Sequence, residues 1–382
     1  MIALHRAPRR DSLAFVLVVF GSVFASTVPV EAVEAELLEL PERLAERDLA
    51  ALQTAIEQIH ARAARSREAW TEADLQKKVP ERFLALDAKL AKVKDPKARA
   101  KAMVELALLW AELAWVERID PLVEAIAKDD ADLAARLGSF AASENVFARV
   151  VGADPKYARA AVDLVEAAHE GYRKLFGFEH VSKLPGKKIR VLIQVDPEIE
   201  RTRLYFHPSP KWHSELRYEM ADEQSLTLQG RQRIVYGFAH ELGHMVAMWG
   251  EYGKIEDDKH AWAHYTGSLI VESIYDKLGN EPWPTWTAFQ RRASGKARLL
   301  TQIEGKSPST ESYEEILALF AKVGDELGTE VYGRAFEWLE SKRRVRRLNR
   351  VPYLWMRDLR DALLAVVEKD DREKVATWFA GK

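Results

Sequence analysis

His240, Glu241 and His244 spell H-E-x-x-H inside an apolar period that only a helix satisfies, and this stretch restricts the fold more than any other part of the chain. Ile234, Phe238, Leu242, Met245 and Met248 recur at helical spacing around it, so the two histidines fall on one helical face, about one turn apart. Both imidazoles then reach a single ion. Glu241 lies one step round from His240, where its carboxylate can hold a metal-bound water without itself being a ligand. Ser225 to Leu228 reads as a short strand before the helix, Gly230 as the break between the two, and Gly250 as the helix C-cap. Zinc is the ion expected, one per chain, because it accepts neutral imidazole nitrogens at about 2.0–2.1 Å and tolerates an open fourth position. An open position is what catalysis requires.

A catalytic zinc needs a third protein ligand, and the next helical pattern, Lys259 to Leu278, supplies the candidates. They are His260, His264 and, two turns further on, Glu272. His260 and His264 are again four apart on one face. One of them can ligate while the other holds a ligand in place or reaches substrate.

The N-terminus carries an address. Arg6, Arg9 and Arg10 precede the apolar run Leu13 to Ala25, and Val23-Phe24-Ala25 offers small residues at the positions a signal peptidase reads, so residues 1–25 are expected to be a cleaved secretory signal peptide. The run is short for a transmembrane span, and no stable membrane association is expected once it is removed. Cleavage takes three arginines from the 57 basic residues and Asp11 from the 59 acidic ones, leaving 54 against 58. That slightly acidic balance gives no footing for nucleic acid. With no cysteine the exported chain must hold together by core packing, and a secreted or periplasmic location fits.

From about Glu31 to Ala168 the composition is that of packed helices, rich in Ala, Leu, Glu, Lys and Arg. Helices are expected over 42–66, 81–93, 96–117, 120–128 and 130–142, with breaks at Pro80, Asp95-Pro96 and Asp120-Pro121. Ala158 to Phe178 is a strongly amphipathic helix ending at Gly177, and His60 reads as a helix-surface histidine. The period then changes. Residues 187–195 and 202–206 read as strands which, with 225–228, make a small sheet immediately before the motif helix. His207 and His213 stand in a proline-rich loop, and Pro282 to Trp286 forms an irregular aromatic loop. The remainder, 311–323, 327–343 and 353–380, is expected to be helical, with the basic run Lys342 to Arg350 as a solvated helix face.

Taken together, the motif residues and Lys259-His260-Ala261-Trp262-Ala263-His264-Tyr265 resemble the gluzincin zinc metallopeptidases, the group of thermolysin and the alanyl-type aminopeptidases. In the aminopeptidase branch the second segment reads N-E-G-x-A-x-Y. Ala263 and Tyr265 match it; His260 stands at the place of the glutamate ligand, and the asparagine and glycine are replaced. The resemblance covers about residues 158–380 and implies an α+β, mostly α, fold. A helical domain, 26–150, would precede a zincin-like domain, 151–382. In the latter the sheet and active-site helix run to 250, and a helical subdomain fills 251–382. It also implies peptide or protein substrates, Glu241 as general base, and Tyr265, His264 or Tyr353 as the donor to the oxyanion. The strand 225–228 would be an edge able to pair with an extended peptide. A different class remains open: an exported binding or scaffold protein whose zinc is vestigial or structural, with both His260 and His264 bound and no position left for water. Residues 26–150 could also be a pro-segment removed on activation.

Overall fold

Apolar residues at every second position of Val146–Val151 and Ile189–Val195 build the centre of a sheet that divides the molecule into two cores. The computed structural model describes residues 32–66, 70–178, 188–207, 215–223, 230–246, 248–250, 255–274, 295–310, 312–348 and 351–380. Among these, helices α1 (Ala32–Ser66), α2 (Glu72–Lys78), α3 (Glu81–Leu84), α4 (Leu86–Leu90), α5 (Pro96–Glu112), α6 (Val116–Asp129) and α7 (Ala131–Leu137) lead into the hairpin β1 (Ser139–Ala142) and β2 (Val146–Val151). Helix α8 (Lys156–Phe176) follows, then β3 (Ile189–Val195), β4 (Arg203–His207) and β5 (Glu215–Met220). The sheet order is β1-β2-β3-β5-β4. Strands β2, β3 and β5 are parallel, while β1 and β4 run antiparallel along its two edges.

The pleat sorts side chains between the cores. Val146, Ala148, Val150, Ile189, Val191, Ile193, Leu216, Tyr218 and Met220 face α8 and the C-terminal core. Phe147, one residue out of phase, belongs to the core of α1–α7. On that same face Arg190 lies over the Phe147 ring and is buried, donating to the carbonyls of Ala111 and Glu112 at the end of α5. The sheet is therefore shared by both halves. Removing residues 26–150 would strip β1 and nearly all of β2 from it, which a pro-segment cannot do without exposing the β3 edge.

Beyond the sheet come α9 (Gly230–Val246), β6 (Met248–Gly250), α10 (Ile255–Ile274), α11 (Lys296–Gln302), α12 (Tyr313–Leu327) and α13 (Val331–Ser341). The chain ends in β7 (Arg346–Leu348), β8 (Val351–Trp355), α14 (Met356–Val366) and α15 (Arg372–Trp378). The fold is α+β and mostly helical, as the sequence suggests. No helix among the described residues is long and apolar enough to cross a membrane.

Several local expectations are corrected. Pro121 does not break the chain; it lies inside α6, and the break falls at Ala114, which takes a positive φ of 55° between Trp110 and Trp115 packed edge to face. The stretch 130–142 is a helix only to Leu137, after which Gly138, also at positive φ, turns it into β1. His60 is buried rather than on the surface. Helix α9 stops at Val246, and Met248 to Gly250 form a strand in parallel register with β8. The basic run is not a helix face: Arg344 pairs with Asp358 and Asp361, and Arg346 to Leu348 form β7, antiparallel to β8. Strand β5 went unrecognised in the sequence. The signal peptide 1–25, the strand 225–228, His213, residues 251–254 and the loop 282–286 lie outside the described residues.

Candidate metal centre

Helices α9 and α10 come close enough for their histidines to meet because one of them carries no side chain at the crossing. A Cβ on Gly267 would lie 3.0 Å from the Cα of His240, so α10 rests directly on the backbone of the motif. Tyr172 of α8 locks the pair, its hydroxyl 2.8 Å from both the Ala239 carbonyl of α9 and Thr266 Oγ1 of α10. The apolar faces of α9, with Ile234, Phe238 and Leu242 fully buried, fix its rotation against the sheet.

This packing brings His240, His244 and His260 together, one ligand atom of each within 4.8 Å of the others. The rings of His240 and His244 are 4.9 Å apart, as are those of His244 and His260. His240 Nε2 and His260 Nδ1 are separated by 3.5 Å. Two nitrogens on one tetrahedral zinc, each at about 2.1 Å, stand about 3.4 Å apart, so this pair already has the spacing of co-ligands. The group could hold a metal ion. Its electrostatics point the same way: burial, and then the neighbouring His244 and His260, hold the His240 imidazole well below its ordinary pKa, which keeps it neutral and ready to coordinate. His244 is buried, while His260 is exposed and marks the open side.

Glu241 sits between the two motif histidines and is gripped by the sheet. Its Oε2 accepts from the backbone N–H of Phe206 at 2.7 Å. Phe206 belongs to β4, an edge strand of the sheet among the described residues, and an N–H given to Glu241 points away from β5. A Cβ on Gly237 would lie 2.0 Å from Leu204 Cδ2, so the glycine one turn before the motif is what lets α9 lie against this edge. Among the described residues the edge strand beside the site is β4.

The other expected residues are placed as follows. His264 does not join the histidine cluster: its Nδ1 lies 3.0 Å from Tyr313 Oη of α12, and its ring meets Tyr236 edge on at 5.7 Å. Burial, with a smaller push from the Arg298 charge, lowers its pKa to about 4. Glu272 is exposed on the last turns of α10 and is not part of the cluster. Tyr265 is 2 % exposed and packs among Phe176, Trp262, Phe320 and Tyr332. Its hydroxyl is turned towards Gly324 on α12 and does not meet the histidine cluster. The side chains of Tyr353 and His207 are outside those described. Tyr236 was missed although its signal was local: it stands one turn before His240, and its hydroxyl is 3.3 Å from His240 Nδ1, where a ligand histidine is commonly held. Arg298 and Tyr313 gave no sequence signal at all. No family model, curated protein or solved structure matches the chain.

Proposed function

We infer that the protein is an exported zinc-dependent peptidase. The observation that carries the reading is the convergence of His240, His244 and His260 beside a glutamate whose carboxylate is anchored to strand β4 of the sheet. Zinc held by the three imidazoles would supply an acidified water and a polarised carbonyl. Glu241 takes the proton from the attacking water and delivers it to the leaving amine, and the Phe206 amide keeps its carboxylate oriented for both transfers. Tyr236 holds His240 in one ring orientation. Strand β4 offers its outward backbone groups to an extended peptide, which would then lie across the histidines. A four-ligand structural site is disfavoured because His264 is not among the histidines whose ligand atoms converge. Export is proposed from the basic, then apolar, N-terminal segment.

The test is elemental analysis of the purified chain together with a Glu241→Gln variant assayed on a denatured protein. One zinc per chain, with cleavage present in the parent and lost in the variant, is the expected result. A chain that takes up no zinc would end this reading.

A further inference from the structure

One turn beyond the histidine cluster the same two helices carry a second group of polar side chains. Tyr236 precedes His240 by one turn on α9, and His264 follows His260 by one turn on α10, so their rings form a layer stacked on the ligand layer. Tyr313 closes the layer from α12. Arg298 closes it from α11, with its guanidinium 5.9 Å from the centre of the Tyr236 ring.

What marks this layer as a binding surface is what it leaves unmet. His264 is 6 % exposed, and its Nε2 has no hydrogen-bond partner. A buried ring nitrogen left in that state has lost its water without gaining a partner, so it calls for a ligand. In the tautomer that accepts from Tyr313, Nε2 is an N–H donor. One turn on, the fully buried Ser268 has an unpartnered Oγ. Arg298 is exposed and pairs with no carboxylate among the described residues. A full cation, an unpaired imidazole nitrogen and two phenols make a surface for an anion with two acceptor oxygens, which a guanidinium grips in a fork.

The distance decides which anion. The layer lies one helical turn, about 5.4 Å, from the ligand histidines. An extended chain covers about 3.3–3.6 Å per residue. A carboxylate held here would therefore sit one or two residues beyond a carbonyl placed at the histidines. We propose that Arg298 and His264 bind the C-terminal carboxylate of a short peptide, making the protein a carboxypeptidase that removes one or two residues at a time. The proposal rests on the peptidase reading for the word cleavage, but the binding surface stands or falls separately.

The experiment reads binding rather than turnover. The full chain carrying Glu241→Gln, loaded with zinc, is titrated calorimetrically with N-acetyl-Phe-Ala as the free acid, with its C-terminal amide, and with N-acetyl-Phe-Glu amide. The free acid is expected to bind at least about tenfold more tightly than either amide. Adding Arg298→Gln, an exposed change that leaves zinc content unaltered, should abolish that preference, and His264→Gln should reduce it. A preference that survives Arg298→Gln would mean the metal itself holds the carboxylate and would overturn the proposal. Equal binding of acid and amide would overturn it too. Tight binding of the glutamate amide would reassign the surface to an acidic side chain and overturn the terminal-carboxylate assignment. Loss of hydrolysis in the parent enzyme, with the acid preference intact, would overturn the peptidase reading alone.

Discussion

The N–H of Phe206 donates to Glu241 Oε2 across 2.7 Å, joining the H-E-x-x-H helix to strand β4 of the sheet. The contact lets the amide of the edge strand orient the carboxylate, and under the proposed peptidase reading the strand's remaining outward groups are offered to a peptide. Because the bond uses a backbone atom, no side-chain pattern in the sequence could announce it.

Two substitutions separate the amide from the side chain. Phe206→Pro removes the N–H and is tolerated at an edge position whose N–H is not part of the ladder. Phe206→Ala removes the ring but keeps the N–H. Turnover should fall at least about tenfold further in the proline variant than in the alanine variant, with equal zinc in both. Indistinguishable kinetics in the two would sink the idea that the amide positions Glu241.

The ligand set makes a sharper claim about two histidines four residues apart. His260→Ala should weaken zinc binding by well over about tenfold, as should alanine at His240 or His244, whereas His264→Gln should retain one zinc per chain. Competition with a metal indicator reads the affinities. If His264→Gln loses zinc as readily as His260→Ala, the third ligand is wrongly assigned.

Tyr265 offers a control on the opposite face of α10. Its hydroxyl meets Gly324 rather than the histidines, so Tyr265→Phe should leave kcat within about twofold of the parent while altering the melting temperature only slightly. A drop in kcat of a hundredfold or more would return Tyr265 to the chemistry.

The pKa of His264 sets a pH dependence. Its folded value, about 4, lies below the ordinary 6.5, so the unfolded chain binds the proton first. The stability contributed by the neutral ring is complete above pH 6.5 and is lost as pH falls from there towards 4. Over that window the metal-free parent should lose about 3 kcal/mol that the His264→Gln variant does not. Urea denaturation at intervals between pH 7 and 4 checks this, and parallel curves for the two proteins would refute it.

What the sequence made legible follows from how local each signal is. His240, Glu241 and His244 are placed by one helix alone, and His260 by the start of the next, so their meeting could be expected from spacing. The choice against His264 could not, because it depends on Tyr313, 49 residues further on and on another helix. The direction of the Tyr265 side chain was hidden for a related reason: a motif match gives a position on a helix but not which way that helix is rolled, and the aromatic core set the roll. Strand β5 hid because Glu215, Arg217 and Glu219 alternate with its buried Leu216, Tyr218 and Met220, and the charged face turns towards the helical N-terminal core and not to a solvent loop. Strand β1 was absorbed into a helix by its alanines.

The shared sheet yields the prediction that bears most on how the chain is organised. β2 matches β3 through six register pairs from Val146 to Val151, and Arg190 of β3 anchors the end of α5 from within the opposite core. Beside it the Glu112 carboxyl is buried, and desolvation raises its pKa against the pull of Arg190. A chain starting at residue 151 loses all but the last residue of β2, takes away the carbonyls that hold Arg190, and bares the β3 edge. Such a fragment should show no cooperative thermal transition, even with zinc. In the full chain, Arg190→Met removes the anchor while keeping most of the volume. It leaves the Ala111 and Glu112 carbonyls unmet, at a cost of about 2–4 kcal/mol read from the urea midpoint. A fragment 151–382 that unfolds cooperatively, or an Arg190→Met chain as stable as the parent, would show that the two halves are independent after all.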